Sequence, residues 1–420
     1  MTDQQRVAAY IDDHKEEAFE LLAKMVRQPS IQGQEAGVQQ VVIEKLQQLG
    51  LEVDVWDPDF DTLKKSPYFV SPRKDFVNSP NVVGVLKGQG GGRSLILNGH
   101  IDVVPEGDVT KWKHDPFSGK IEHGRMYGRG TTDMKGGNVS LLLAMEAIKK
   151  SGINLKGDVI FQSVIEEESG GAGTLATVLR GYKADAAIIP EPTNLKLFIK
   201  QQGSLWFRVV IEGLSAHGGT RYEGVSAIEK AWVVHQRILE LERERNSRIQ
   251  DPLYKKLPIP LPINVGTIHG GTWPSSVPDL VTLEGRIGVG PEESIEAVKQ
   301  ELRDCINRLP KADTWFESHP AQVEFFGAQW LPNSVAGEHE IACAIEENYR
   351  QLFGKPVVVE ASPWGTDAGI LGTVGGIPAL VIGPGETSVA HYPNEFIELD
   401  EVVKAARLFA LTLLTWCGTA

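Results

Sequence analysis

One hydrophobic rhythm, broken in the middle by another and then resumed, constrains this chain more than any other feature. Up to about residue 200, short apolar runs alternate with segments whose apolar residues recur at helical spacing, the signature of an α/β layer architecture. The runs 95–97, 159–161 and 186–189 are short and bounded by polar residues, as buried strands are. Between the first two, MKGGNVSLLLAMEAIKK sets Leu141, Leu142, Met145 and Ile148 on one helical face. From about residue 203 the pattern reads strand, helix, strand, strand, helix, strand: GSLWFRVVIEG, SAIEKAWVVHQRILELERER, PINVGTIHGG, DLVTLEGRIGV, PEESIEAVKQELRDCINRL and QVEFF. This is the split βαβ order of ferredoxin-like modules. The apolar run 379–382 and a C-terminal helical segment then return to the first pattern. The sequence therefore predicts an α/β domain made of residues 1–202 and 328–420, interrupted by an α+β module at 203–327.

Length agrees with two domains, since 420 residues exceed what one hydrophobic core usually serves. A formal net charge of -13 argues against nucleic-acid or anionic-membrane partners, which need a concentrated basic face. Three widely spaced cysteines, Cys305, Cys343 and Cys417, suggest neither a disulfide framework nor a thiolate metal site. The polar N-terminus lacks the apolar centre of a signal peptide, and no apolar run reaches the length of a membrane span. These features predict a soluble cytoplasmic protein.

Four apolar runs lead to side chains of types that can bind metal. The run 95–97 precedes His100 and Asp102, 159–161 precedes Glu166, Glu167 and Glu168, 186–189 precedes Glu191, and 379–382 precedes His391. Ligands of open α/β sheets bind beyond the carboxyl ends of the strands, so these four ends are expected to meet in one crevice. Each residue alone reads more simply as a turn, a solvated charge run or a helix cap. Gathered together, the carboxylates would repel one another strongly unless a divalent cation lay between them. A mixed oxygen and imidazole donor set without thiolates suits Zn²⁺ or a related first-row ion.

Asp102 lies two residues beyond His100, on the same side of the chain, and is expected to accept from the imidazole nitrogen turned away from the metal. Asp133, in GRGTTDMKGG, precedes a helix expected to start near Met134, and is read as a ligand, as its N-cap, or as both at once. Arg286 sits on the polar face of DLVTLEGRIGV, placed either to pair with a substrate carboxylate or to pair with Glu284. The remaining histidines, His14, His114, His123, His235, His269, His319 and His339, lack such company and read as structural or exposed.

The stretches HID, WKHDPFSGKIEHGRMYGRGTTDMKGG, IEEESGG, PEPT, SAHGG and AHYPNE, in this order, resemble the acetylornithine deacetylase, succinyl-diaminopimelate desuccinylase, aminoacylase and carboxypeptidase G family. The resemblance implies a zinc-exopeptidase-like catalytic domain with a central mixed sheet, an inserted dimerisation lid of ferredoxin-like type, and two divalent metal ions, zinc first, with cobalt or manganese as alternatives. It implies that His100 and Glu191 hold one metal, Glu168 and His391 the other, and Asp133 both. The family's Glu-Glu-x-Gly register, set by Gly170, makes Glu167 the general base. Glu166 stands where many relatives have Asp and receives no chemical role. His217 resembles the lid histidine that reaches the partner subunit's active site to stabilise the oxyanion, and Thr366 and Asp367 resemble a pocket-lining GTD segment. Ser275 departs from the asparagine many relatives carry.

These implications lead to a homodimeric amidohydrolase that removes an N-acyl group from a small amino acid or amine, most like an acetylornithine deacetylase. A desuccinylase or an N-formyl aminopyrimidine deformylase is the alternative, followed by a dipeptidase or carboxypeptidase. A catalytically silent binding protein is disfavoured because every ligand position and Glu167 are filled.

Overall fold

The computed structural model describes residues 1–420, which divide into two compact units. The first comprises Met1–Lys200, Asn333–Glu360 and Thr366–Ala420, and the second comprises Gln201–Pro332 with Ala361–Gly365. The second unit thus reclaims a short piece of chain around WG, which the hydrophobic pattern alone assigns to the larger domain.

The first unit is built on a nine-stranded mixed sheet. At its centre Val159–Val164, Leu95–His100, Ala186–Ile189 and Ala379–Val381 lie side by side and parallel. These are the four expected strands, and their burial on both faces explains why they read as continuous apolar runs. Antiparallel strands Asn81–Leu86 and Glu52–Trp56 extend one side, and Leu197–Gln201 the other. The helix Gly136–Lys150 is buried on nearly every side, with Leu141, Leu142, Met145 and Ile148 in the core, against the C-terminal helix Leu399–Thr412. It comes so close to the sheet that a Cβ on Gly137 would run into the carbonyl of Pro190.

The second unit is a four-stranded antiparallel sheet in the order Ile263–Gly270, Leu280–Val289, Gly203–Glu212, Gln322–Trp330. With helix Ala227–Ser247 following strand Gly203–Glu212 and helix Ile295–Asn307 following strand Leu280–Val289, this is the ferredoxin-like arrangement. Both helices are capped at their N-termini by serines, Ser226 and Ser294, accepting from the amides of Glu229 and Ala297. The second helix starts at Ile295 because Pro291 to Glu293 form a turn before that cap. Phe207, Val209, Ile211, Leu283 and Ile287 face the helices, meeting Ile238 and Leu302. Alternate residues, Trp206, Arg208, Glu284, Arg286 and Phe326, lie on the opposite face, where all but Trp206 are half-buried. The three cysteines are free, and no helix is long and apolar enough to cross a membrane.

Candidate metal centre

Because the four central strands run parallel, their carboxyl ends share one edge, and each delivers a polar side chain there. His100 is the last residue of its strand. Val159–Val164 continues through Ile165 into Glu166, which adopts a left-handed conformation at φ 65°, and then the short turn Glu167–Ser169. Ala186–Ile189 leads through Pro190 to Glu191, and Ala379–Val381 leads to a loop ending at His391, also left-handed at φ 64°. Asp133 comes from the turn Thr131–Lys135 ahead of the buried helix.

These side chains meet. Asp133 Oδ1 lies 3.1 Å from His100 Nε2, and Oδ2 lies 3.3 Å from His391 Nε2. His391 Nε2 is also 3.1 Å from Glu168 Oε1, and His100 Nε2 is 3.9 Å from Glu191 Oε2. Ligand atoms of His100, Asp133 and Glu168 lie within 4.8 Å of one another, as do those of His100, Glu167 and Glu191. One carboxylate therefore faces two imidazoles through different oxygens, with further carboxylates on both sides.

Two expectations need correction. His100 Nδ1 lies 2.9 Å from the main-chain oxygen of Asp102, whose carboxylate at 3.6 Å is too far for a hydrogen bond. That carboxylate instead accepts from the amides of Glu167 and Glu168, each at 3.2 Å, so Asp102 braces the glutamate turn while its backbone orients the histidine. Asp133 is not a helix cap: the helix begins at Gly136, and Asp133 has the non-helical φ −122°, ψ 94°.

The electrostatics of the cluster are frustrated. Burial, joined by neighbouring carboxylates, pushes Glu167 and Glu191 well above the usual carboxylate range, and burial does the same to Asp102. Burial opposes ionisation of Asp133 too, but hydrogen bonds from His100 and His391 outweigh it and hold its pKa low. Hydrogen bonds to Asp133 and Glu168 raise His391 to about 11. The histidines thus act as stand-in cations among too many acids. Mixed imidazole and carboxylate donors around one shared carboxylate are what a pair of divalent ions would satisfy, so the residues fit the metals implied by the family resemblance.

The expected site residues leave out a buried ion pair that ties the ligand loops together. Arg129 Nη1 bonds Glu395 Oε2 at 2.7 Å, with both residues buried. Glu395 Oε1 accepts from the amides of Thr132 and Asp133, and Arg129 donates to the carbonyls of His391 and Pro105. Burial lifts the Glu395 carboxyl to about 7. The only sequence signal for the pair is that both charges stand inside the motif stretches, GRG and PNE.

Thr366 and Asp367 are buried at the start of the helix Ala368–Thr373. Asp367 Oδ2 accepts from Thr174 at 2.7 Å, Oδ1 is buried without a partner, and burial raises the group to about 6. In the second unit, His217 is exposed, and its Nδ1 accepts from the amide of Gly219 at 3.0 Å, leaving Nε2 to bear the proton. Ser275 holds this loop through its carbonyl, which accepts from Gly218 at 2.7 Å. Arg286 does not pair with Glu284, whose carboxylate is taken by Arg208 at 2.6 Å. It is left without an ion pair, and burial lowers its pKa. None of the seven other histidines enters a ligand group. His14 and His319, for example, stack on Tyr10 and Trp315.

Comparison with known proteins agrees with this layout. Residues 96–415 match the pattern of Peptidase family M20/M25/M40. N-formyl-4-amino-5-aminomethyl-2-methylpyrimidine deformylase of Halalkalibacterium halodurans is 33% identical over 440 aligned positions, covering 98% of this chain and 97% of the relative. The protein of the same name from Bacillus subtilis is 30% identical, covering 97% and 96%. Among solved structures, the YxeP protein of Bacillus subtilis, described as a dinuclear metal binding peptidase, superposes with a TM-score of 0.65 at 19% identity, covering 96% of this chain and 99% of that one. A family match across most of the chain, together with relatives alike from end to end, means that this protein belongs to Peptidase family M20/M25/M40 and is a hydrolase of C–N bonds.

Proposed function

We propose that the protein is a two-metal deacylase that removes a formyl group from an N-formylated aminomethylpyrimidine. The acetylornithine deacetylase reading gives way to this alternative because two relatives, alike over nearly their whole length, bear the deformylase name. The observation that carries the reaction class is the carboxylate of Asp133, whose two oxygens face His100 and His391 at 3.1 and 3.3 Å. In this reading His100 and Glu191 hold one ion, Glu168 and His391 the other, and Asp133 both, with zinc favoured over cobalt or manganese.

When bound, such ions lower the pKa of water and polarise an amide carbonyl. The remaining work falls to the chain. Glu167 is assigned the general-base role: burial raises its pKa, so its carboxylate, once ionised, is a stronger base, suited to take a proton from the attacking water and return it to the departing amine. Asp102 supports this by holding the amides of Glu167 and Glu168. His217, with Nε2 bearing the proton, is assigned to the oxyanion. Because it lies on the second unit, we assign that contact to a homodimer. The exposed edge strand Ile263–Gly270 and the exposed Ile228 and Trp232 support such a dimer, since an open strand edge and bare apolar side chains invite a second copy. Thr366 and Asp367 are assigned to the pocket, and Arg286 to an anionic part of a substrate. The formylated aminomethylpyrimidine carries no carboxylate, so Arg286 is the least engaged of these.

The test is a hydrolysis panel on the zinc-loaded protein. The N-formyl aminomethylpyrimidine should give the highest kcat/KM, above N-acetylornithine, N-succinyl-diaminopimelate and dipeptides. A preference for N-acetylornithine would return the acetylornithine deacetylase reading, and faster cleavage of dipeptides would reject deacylation altogether.

A further inference from the structure

Glu166 and Glu35 are both fully buried, and a single cation serves them. Arg73 Nη1 lies 3.1 Å from Glu166 Oε1 and 3.2 Å from Glu35 Oε1, while Nη2 donates to Ser79 at 2.8 Å. The Ser79 hydroxyl donates in turn to Glu35 Oε2 at 2.7 Å. Glu166 also accepts from Gln32 at 2.9 Å and from Ser71 and Ser169 at 2.8 Å. The guanidinium is further fixed over the ring of Phe76, 4.9 Å from its centre. Arg73, Ser71, Ser79 and Phe76 all come from the irregular stretch 57–81, for which the sequence offers no role.

The anchored residue matters because of its neighbours in the chain. Glu166 holds a left-handed backbone at φ 65°, which a non-glycine residue rarely adopts, and the next two residues are Glu167 and Glu168. On one side of this turn Asp102 accepts the amides of Glu167 and Glu168, and at Glu166 the Arg73 network holds the side chain. A guanidinium can bond two carboxylates and a hydroxyl at once through its fixed fork, which an ammonium cannot match. We propose that Arg73 is a positioning residue: by anchoring Glu166 it sets the turn that aims Glu167 and Glu168, which makes the stretch 57–81 part of the working site. This inference rests on the general-base and metal-ligand roles proposed for those two glutamates.

The test is titration of metal-free protein with cobalt(II), followed by visible absorption, together with kcat and KM on the best substrate of the panel. It compares wild type, Arg73→Met, Arg73→Lys and Glu166→Gln under conditions where circular dichroism shows each folded. Arg73→Met should keep one cobalt site, weaken the Glu168 site by about 10- to 100-fold and lower kcat similarly, leaving KM nearly unchanged. Arg73→Lys should recover part of both losses. A folded Arg73→Met protein with two wild-type cobalt affinities and wild-type kcat overturns the proposal. Should Arg73→Met fail to fold, Arg73→Lys and Glu166→Gln decide, and wild-type cobalt binding and turnover in both would overturn it. Wild-type protein that binds two cobalt ions but cleaves no N-acyl substrate would refute the deacylase reading, while the cobalt titrations of the variants would still decide the role of Arg73.

Discussion

Two buried charge clusters, one in each unit, are solved in opposite ways. In the second unit Arg245 lies wholly buried, yet Glu293 at 2.6 Å, Glu301 at 2.7 Å and the carbonyl of Gly288 at 2.9 Å answer its guanidinium. At the strand ends of the first unit, Asp102, Glu167 and Glu191 are buried beside one another with imidazoles as their nearest cations. The chain places an arginine against buried acids in one region, and again at Glu395 and Glu166, whereas Asp102 and Glu191 face the imidazole of His100. The contrast agrees with the metal ions proposed for the second kind of cluster.

The sharpest way to break the contrast is Glu167→Gln, which preserves shape and removes the base. Turnover should fall by about 100- to 10,000-fold with both metal ions retained, and a variant near wild-type activity would mean that another glutamate is the base. Next in size is Arg245→Met, which strips the cation from a paired cluster. It should cost about 3 kcal/mol in urea unfolding while the metal content stays the same. Loss of metal in that variant would show that the two clusters are not independent.

A third effect concerns pH. Neutral imidazole is the form that binds metal, whereas His391 in the metal-free protein is raised to about 11 and is therefore protonated near neutrality. Zinc binding should release a proton, and affinity should drop about tenfold per pH unit on acidification for each proton released. Calorimetry in buffers of different ionisation enthalpy would measure this, and a pH-independent affinity would contradict the hydrogen bonding seen here. The same raised value stabilises the metal-free fold fully below about pH 6.5 and is lost as pH rises through about 11. The smallest effect belongs to Arg286→Met, which removes a half-buried cation that has no ion pair. It should change kcat/KM for the formylated pyrimidine by less than about threefold, but weaken carboxylate-bearing substrates by about tenfold or more.

What could be read from the sequence and what could not divides along the range of the interactions. The four central strands were legible because parallel strands buried on both faces leave an uninterrupted apolar signature. Once they are placed, the chain rules of open sheets bring His100, Glu191 and His391 to one edge. The alternation of Leu283 and Ile287 with Glu284 and Arg286 likewise announced a sheet covered on one side. The pairing of Arg129 with Glu395, 266 residues apart, leaves no periodic trace, nor does that of Arg73 with Glu166. The reversal at Asp102, where the backbone takes the part expected of the carboxylate, depends on a strand ending at His100 rather than beyond it. The helix after Asp133 starts two residues later than its composition suggests because Met134 is held out of helical geometry in the preceding turn.

The wide separation of the gathered side chains bears on how this protein is made. His100, Asp133, Glu168 and Glu191 all lie in the first half of the sequence, whereas His391 lies close to its end. During translation the early four therefore emerge well before His391. A chain interrupted before residue 391 would hold Asp133 and Glu168 without the imidazole that faces them both.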